Sequence, residues 1–239
     1  MSTRIVCPSC DGGRTKERSC LISERDGVTF YHCFRASCPH PSGVYSGTYV
    51  PSNNVSKLAP PLLSQLPSAR RKWLASKFDL TDEDLSRLRP LWVASDERYW
   101  FPTYDQHGVQ TGGVARSYTG KHPKSLTYTD EWSTGCWYVK PNSSNVWLVE
   151  DQMSACKMAR HATSVALLGT SLGGACRGVL ATLNKPIVVA LDADAWHLSV
   201  ALSLKLQDLG LDARPLALSH TDIKEMDSHE VQATYTRGS

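Results

Sequence analysis

Two sets of residues in this 239-residue chain could hold metal ions, and their chemistries differ. The first is sulfur. Cys7-Pro8-Ser9-Cys10 forms a CxxC knuckle, and Cys33-Phe34-Arg35-Ala36-Ser37-Cys38 supplies a second pair. Four thiolates suit one tetrahedral zinc, and a quartet leaves no open coordination position, so such an ion is structural. In a module of ~40 residues it replaces a core the segment is too short to build. Cys7, Cys10, Cys33 and Cys38 are the predicted ligands. The second pair is more widely spaced than the first, which leaves His32 or His40 as an alternative to one cysteine. Cys20 lies within a β-like stretch and is expected in the module's core, as is Phe30.

The second set is oxygen. Glu150 closes the apolar run Val146–Glu150, and Asp192 and Asp194 close the run Ile187–Asp194. One residue apart on an extended segment, two aspartates project the same way and repel unless a cation lies between them. Hard carboxylate oxygens select magnesium or manganese. Two such ions could activate a 3′-hydroxyl and stabilise a leaving pyrophosphate.

The elements around these residues decide whether they can meet. From 141 to 239 the apolar runs Val146–Glu150, Val165–Gly169, Ile187–Asp194 and Ala213–Leu218 alternate with helix-length segments. A β-α-β-α-β-α-β order predicts a mostly parallel sheet flanked by helices. Groups at the carboxyl ends of neighbouring strands then converge on one crevice. Upstream, Tyr99 to Tyr128 reads as short antiparallel strands joined by turns, giving a β-rich lobe over 68–140. Ser68 to Phe78 is helical, and Thr81-Asp82-Glu83-Asp84 has the form of a helix N-terminus running to about Leu88. Pro, Ser, Gly and Asn dominate 45–67, which reads as a linker after a zinc module at 1–44. The expected class is a multi-module α+β and α/β protein.

Net charge is +3, but its distribution is uneven: 18 basic against 13 acidic residues over 1–140, and 8 against 10 beyond. The first part suits phosphate and the second suits metal. Five of eight cysteines crowd into the first 38 residues, which favours metal over disulfides; Cys136, Cys156 and Cys176 read as free thiols of a reduced compartment. No apolar run reaches ~18 residues, so no membrane association is expected and the location is cytoplasmic.

The run CPSC, SCLIS, FYHCF and a further cysteine resembles the zinc ribbon of bacterial and phage replicative primases, apart from its longer second knuckle. The resemblance implies contact with single-stranded DNA, for which Arg14, Lys16, Arg18, Arg35, Tyr31 and Phe34 have suitable types. A strand-terminal Glu followed by hydrophobic-DxD resembles the TOPRIM motif, with VWLVEDQMSACKMAR as its first part. Asp151 stands where many relatives carry Gly; it either adds charge to the metal site or, the preferred reading, is an acidic residue in a helix's first turn. Asp222, after the fourth strand, matches a metal-proximal aspartate of the primases. In Gly169-Thr170-Ser171-Leu172-Gly173-Gly174 the amides could face a phosphate, or Thr170 or Ser171 could cap the next helix.

KFDLTDEDLSRL and YWFPTYDQHGVQTGGVARSYTGKHPKSLTY resemble the primase lobe preceding TOPRIM, and place Arg116 and Lys124 at basic positions that meet nucleotide or template phosphate. The implied activity is synthesis of short RNA primers from ribonucleoside triphosphates on single-stranded DNA. No GxxxxGK[ST] occurs in the chain, so a separate replicative helicase is the expected partner. A TOPRIM nuclease, or a non-catalytic zinc module that binds single strands in a replisome, are the competing readings. Trp147 and Trp196 are expected to pack, and His161, His197, His220 and His229 have no assigned role.

Overall fold

The computed structural model describes the chain except residues 1, 2, 14–16, 26, 27, 36, 46–60, 106, 130–134, 141, 170, 171 and 220. Most of the expected linker, and Arg14, Lys16, Thr170, Ser171 and His220, lie outside the described residues. The chain forms two compact units, Met1–Ser56 and Lys57–Ser239.

In the first unit β1 (Thr3–Ile5), β2 (Cys20–Arg25), β3 (Val28–Cys33) and β4 (Ser42–Val44) form an antiparallel sheet in chain order. Its interior is sulfur more than hydrocarbon: Cys7, Cys20, Cys33 and Cys38 are buried, with Ile5, Cys10 and Tyr31 packed against them. Phe30, expected inside, is 38% exposed. Its alternation partners on β3, Val28 and His32, are exposed too, so among the described residues no second layer covers this face of the strand.

The second unit opens with β5 (Leu63–Gln65), α1 (Ser68–Phe78), α2 (Asp82–Leu88), β6 (Leu91–Val93), β7 (Arg98–Tyr104), β8 (Gln110–Arg116) and β9 (Ser125–Thr129). The five strands make an antiparallel meander. Gly113 on β8 lies opposite Pro102, and a Cβ there would run into the Trp100 ring, so the close packing needs glycine. α1 ends at Asp79, in left-handed conformation. α2 begins with a complete capping box in which the Thr81 and Asp84 side chains exchange bonds with each other's backbone.

Next come β10 (Cys136–Tyr138), β11 (Val146–Val149), α3 (Gln152–Met158), β12 (Thr163–Ala166), α4 (Gly174–Leu183), β13 (Ile187–Val189), α5 (Trp196–Asp208), β14 (Ala213–Pro215) and α6 (Ser228–Gly238). The sheet order is β10-β12-β11-β13-β14, with β10 antiparallel and the rest parallel. Alternate residues of β11 feed opposite faces. Val146 and Leu148 join a core with Val179, Leu180, Leu202 and Leu206 of α4 and α5, while Trp147 and Val149 join one with Ala155, Met158 and Val231 of α3 and α6. Burying each such Val or Leu stabilises the fold by ~1.5–3 kcal/mol. A third core, from Leu74, Phe78, Leu85, Leu88, Tyr99 and Phe101, takes in Met153 and Cys156 of α3, so the antiparallel lobe and the parallel sheet share apolar contacts. Trp147 is fully buried, whereas Trp196, at the start of α5, is 43% exposed.

No helix among the described residues is long and apolar enough to cross a membrane.

Candidate functional site

In the first unit the ligand atoms of Cys7, Cys10, Cys33 and Cys38 lie within 4.8 Å of one another. The Cys7–Cys38 and Cys10–Cys33 sulfurs are 3.7 and 3.8 Å apart. A tetrahedral zinc ~2.3 Å from each sulfur spaces them at ~3.8 Å, so the quartet is able to bind one zinc ion. Burial pushes the Cys7 thiol up, but the backbone N–H groups of Cys10 and Ser9 and the neighbouring thiols outweigh it and bring it to about 7, whereas burial prevails at Cys10, which is raised, and at Cys33, lifted to about 12. Thiolate is the form a metal takes. Neither His32 nor His40 belongs to the quartet; the His32 ring packs on Phe34, and His40 lends only its carbonyl, to the Cys38 sulfur. Cys20 is fully buried, and burial lifts its thiol to about 12, as suits a core residue.

In the second unit the carboxylates gather where the central strands end. β11 and β13 are neighbours, with Leu148 opposite Val189, and the Ala190 N–H donates to the Leu148 carbonyl at 2.9 Å. Glu150 and Asp192 follow within three residues of these positions. From β11 the chain passes to β12 on one side and then to β13 on the other, which makes this rim the reversal point of the sheet, where α/β folds open a crevice. The expectation of an extended Asp192–Asp194 segment is corrected here. β13 stops at Val189, and Ala193–Ala195 is a 3-10 turn closed by the Ala195 N–H on the Asp192 carbonyl. Residues two apart in such a turn do not share a face, so Asp192 is half-buried and Asp194 exposed. The turn forms because the chain must bend directly from β13 into α5.

A lysine stands among these acids. The buried Lys224 ammonium is hydrogen-bonded to Asp192 Oδ2, lies 2.8 Å from Asp222 Oδ2 and is 3.6 Å from Asp151 Oδ2. Asp222 also accepts the Ala193 N–H on Oδ1 at 3.0 Å, which ties the 222–224 segment to the turn after β13. The Lys224 segment is held from behind by the buried Lys157 ammonium, which donates to the carbonyls of Phe78, Lys224 and Met226. Asp151, expected in the first helical turn, is instead the α3 cap; its Oδ1 accepts the Ser154 N–H at 2.9 Å, and its Oδ2 lies 3.1 Å from Arg116 Nη1.

The charges sort these acids into two kinds. Burial raises Asp151, but Arg116 and Lys224 outweigh it and hold the carboxyl below its usual range. Burial likewise opposes Asp222, and its bonds from Lys224 and Ala193 prevail. Asp192 is pushed up to about 7 by burial and then by the Glu150 charge, with Lys224 compensating only in part. Glu150 is raised by burial, and the charges of Asp151 and Asp194 add to that. The Glu150 and Asp192 end of the rim thus has more negative charge than its built-in cations neutralise.

Arg116, at the end of β8, packs over the Tyr118 ring at 5.6 Å, and its Nε is buried with no hydrogen-bond partner among the described residues. Beyond it Ser117, Tyr118, Gly120, Lys121, His122 and Lys124 line a cleft of about 200 Å³. The buried Arg98 supports this loop by donating to the carbonyls of Pro123 and Lys124 at 2.7 and 3.3 Å.

No protein-family model matches the chain, and no curated protein matches it in sequence. Among solved structures, the DnaG primase catalytic domain bound to single-stranded DNA aligns with a TM-score of 0.52 at 16% identity, covering 72% of this chain and 73% of that one. The DnaG catalytic core aligns with a TM-score of 0.52 at 17% identity, covering 71% and 73%. The fold is similar to that of the DnaG primase catalytic core.

Within this primase-like fold Glu150, Asp192 and Asp222 are brought to one rim, with Asp194 at its exposed edge and Arg116 beside it. Lys124 belongs to the neighbouring cleft, exposed, and makes no ion pair with the carboxylates. Among the described residues the cysteine quartet is the one group of His, Cys, Asp or Glu gathered closely enough to hold a metal ion, so the acids do not form a ready cage. Lys224 and the capping role of Asp151 escaped the sequence reading. The one available signal was the placement of Lys224 two residues after Asp222.

Proposed function

We propose that the chain is a DNA primase, an RNA polymerase that makes short primers on single-stranded DNA from ribonucleoside triphosphates. Residues 141–239 are its TOPRIM catalytic domain and 68–140 its basic lobe. The zinc module at 1–44 reads the template, and a separate replicative helicase supplies the unwound strand. The observation that carries the reading is that Glu150 and Asp192 follow the ends of adjacent parallel strands, near the Arg116–Asp151 ion pair, in a fold like the DnaG core.

The donor set fits magnesium or manganese. Fully ionised, five carboxylates (Glu150, Asp151, Asp192, Asp194, Asp222) face two cations (Arg116, Lys224), which leaves a deficit that hard divalent cations fill through oxygen ligands. A divalent ion supplies charge neutralisation at the reacting phosphate and lowers the pKa of the attacking hydroxyl. In the transfer the primer 3′-oxygen bonds to the α-phosphorus, the bond to the bridging oxygen breaks, pyrophosphate leaves, and the hydroxyl proton passes to solvent. Glu150, Asp192 and Asp194 would hold such an ion. Arg116, with an unpaired buried Nε, and Lys124, in its basic cleft, meet nucleotide or template phosphate.

The test is to incubate zinc-loaded protein with a short single-stranded template, four ribonucleotides and Mg²⁺ or Mn²⁺. RNA dinucleotides and longer products are expected. Cleavage of labelled DNA when nucleotides are omitted, with no RNA made, would replace the polymerase with a nuclease.

A further inference from the structure

We infer that Lys157 is a positioning residue for the acidic rim: its buried ammonium clamps the 222–226 segment, which carries Asp222 and Lys224, to α3 and to the end of α1. The inference rests on the rim being the catalytic site proposed above, and adds to that site a residue from behind it.

An ammonium has three N–H groups, and here each meets a carbonyl. The acceptors are Phe78 at 2.7 Å, Lys224 at 3.3 Å and Met226. Phe78 is the last residue of α1, where helix carbonyls lack intrahelical donors and a cation is favoured. Lys224 lies in the 3-10 turn Ile223–Glu225, and Met226 follows it directly. The same turn presents the Lys224 side chain to Asp192 and Asp222. α3, which carries Lys157, begins immediately after Glu150 and Asp151. One side chain therefore joins the helix behind Glu150 to the segment that meets Asp192.

The residue type is unusual for its setting. Lys157 is fully buried, and the acids whose charges reach it are engaged elsewhere: Asp84 and Asp79 pair with Arg160, and Asp227 caps α6. Burial and the Arg160 charge lower the ammonium to about 8, against the pull of those three acids. A buried cation without a carboxylate of its own is costly, and an apolar side chain of similar length would avoid that cost. What an apolar chain cannot do is hold three carbonyls to one point. A neutral amine has only two N–H groups, so deprotonation releases one of the three.

Carbon-13 placed at the carbonyls of methionine and phenylalanine reads the clamp independently of activity, and the chain has only four residues of each type to resolve. In the zinc-loaded full chain the Phe78 and Met226 signals are expected to move together as pH rises, with one midpoint at about 8. In Lys157→Met both should be displaced and show no such midpoint. Signals that hold still, or that move with different midpoints, would overturn the clamp; if Lys157→Met does not fold, the wild-type titration decides alone. Primer synthesis then reads the positioning. Lys157→Met is expected to lower kcat at least ~10-fold with KM for ribonucleotides within ~3-fold of wild type. In a Lys224→Met background the same change should lower kcat by less than ~3-fold, because Lys157 acts through that segment. A folded Lys157→Met as active as wild type, or an equal loss in both backgrounds, would end the positioning role. A chain whose two carbonyls titrate together yet makes no RNA loses the primase reading alone.

Discussion

The guanidinium of Arg116, at the end of β8, lies 3.1 Å from the carboxylate of Asp151, the residue that caps α3. One ion pair thus ties the antiparallel lobe to the helix that follows Glu150, and it is nearly dry, with side-chain exposures of 15% and 8%. The pair fixes both the start of α3 and the direction of the guanidinium toward the rim.

Asp151→Ala removes the cap and strands Arg116, while Lys224 keeps Asp192 and Asp222. It is expected to destabilise the second unit by ~3 kcal/mol, most of it from uncompensated buried charge and ~1 kcal/mol from the cap. Asp151→Asn keeps a capping oxygen and should recover the smaller part. Denaturant unfolding of the three proteins checks the order; an alanine variant as stable as wild type would remove the structural role.

A second buried pair sets the acid limit of stability. Arg160 Nη2 lies 2.6 Å from Asp84, which is fully buried and belongs to the α2 capping box. Burial raises the Asp84 carboxyl, but Arg160 and Thr81 outweigh it and hold it below the usual aspartate range. A lowered folded pKa contributes stability that is present above the unfolded value of ~3.9 and lost as pH falls through the folded one. Asp84→Asn should therefore lose ~3 kcal/mol at pH 7 and show a shallower decline of stability below pH ~4. Unfolding measured from pH 3 to 7 tests both; parallel pH curves for the two proteins would contradict the assignment.

The zinc module should depend on its ion outright, because cysteines make up most of its interior and Ile22 is the one buried aliphatic side chain among its described residues. Metal analysis is expected to find one zinc per chain, none in Cys33→Ser, and one in Cys20→Ser, since Cys20 is not in the quartet. Chelation should unfold 1–44 at a cost of ~10–16 kcal/mol of metal binding while the second unit melts as before. Zinc retained by Cys33→Ser would remove Cys33 from the ligand set.

Much of this was readable from residue order, and the reasons are local. CxxC followed by Cys33 and Cys38 needs only a β-turn-β path to close, and β2 and β3 provide it by pairing Cys20 with Cys33. Thr81 and Asp84 announce α2 because a capping box is a contact between near neighbours. The alternation in Val146–Val149 locates a strand covered on both faces. What stayed hidden is long-range. Nothing near Lys224 says that its ammonium will meet Asp151 and Asp192, and nothing near Asp84 points to Arg160. The geometry of Asp192 and Asp194 was misjudged because a three-residue strand such as β13 ends by tertiary constraint, with no turn residue to mark the place.

Template-dependent RNA synthesis by the zinc-loaded chain, wild type beside Glu150→Gln and Asp192→Asn, tests the central claim most directly. The account predicts primers from wild type with Mg²⁺ or Mn²⁺ and a loss of at least ~100-fold in each variant without loss of folding. No RNA from the folded, zinc-loaded wild type, or undiminished synthesis by Asp192→Asn, would contradict it.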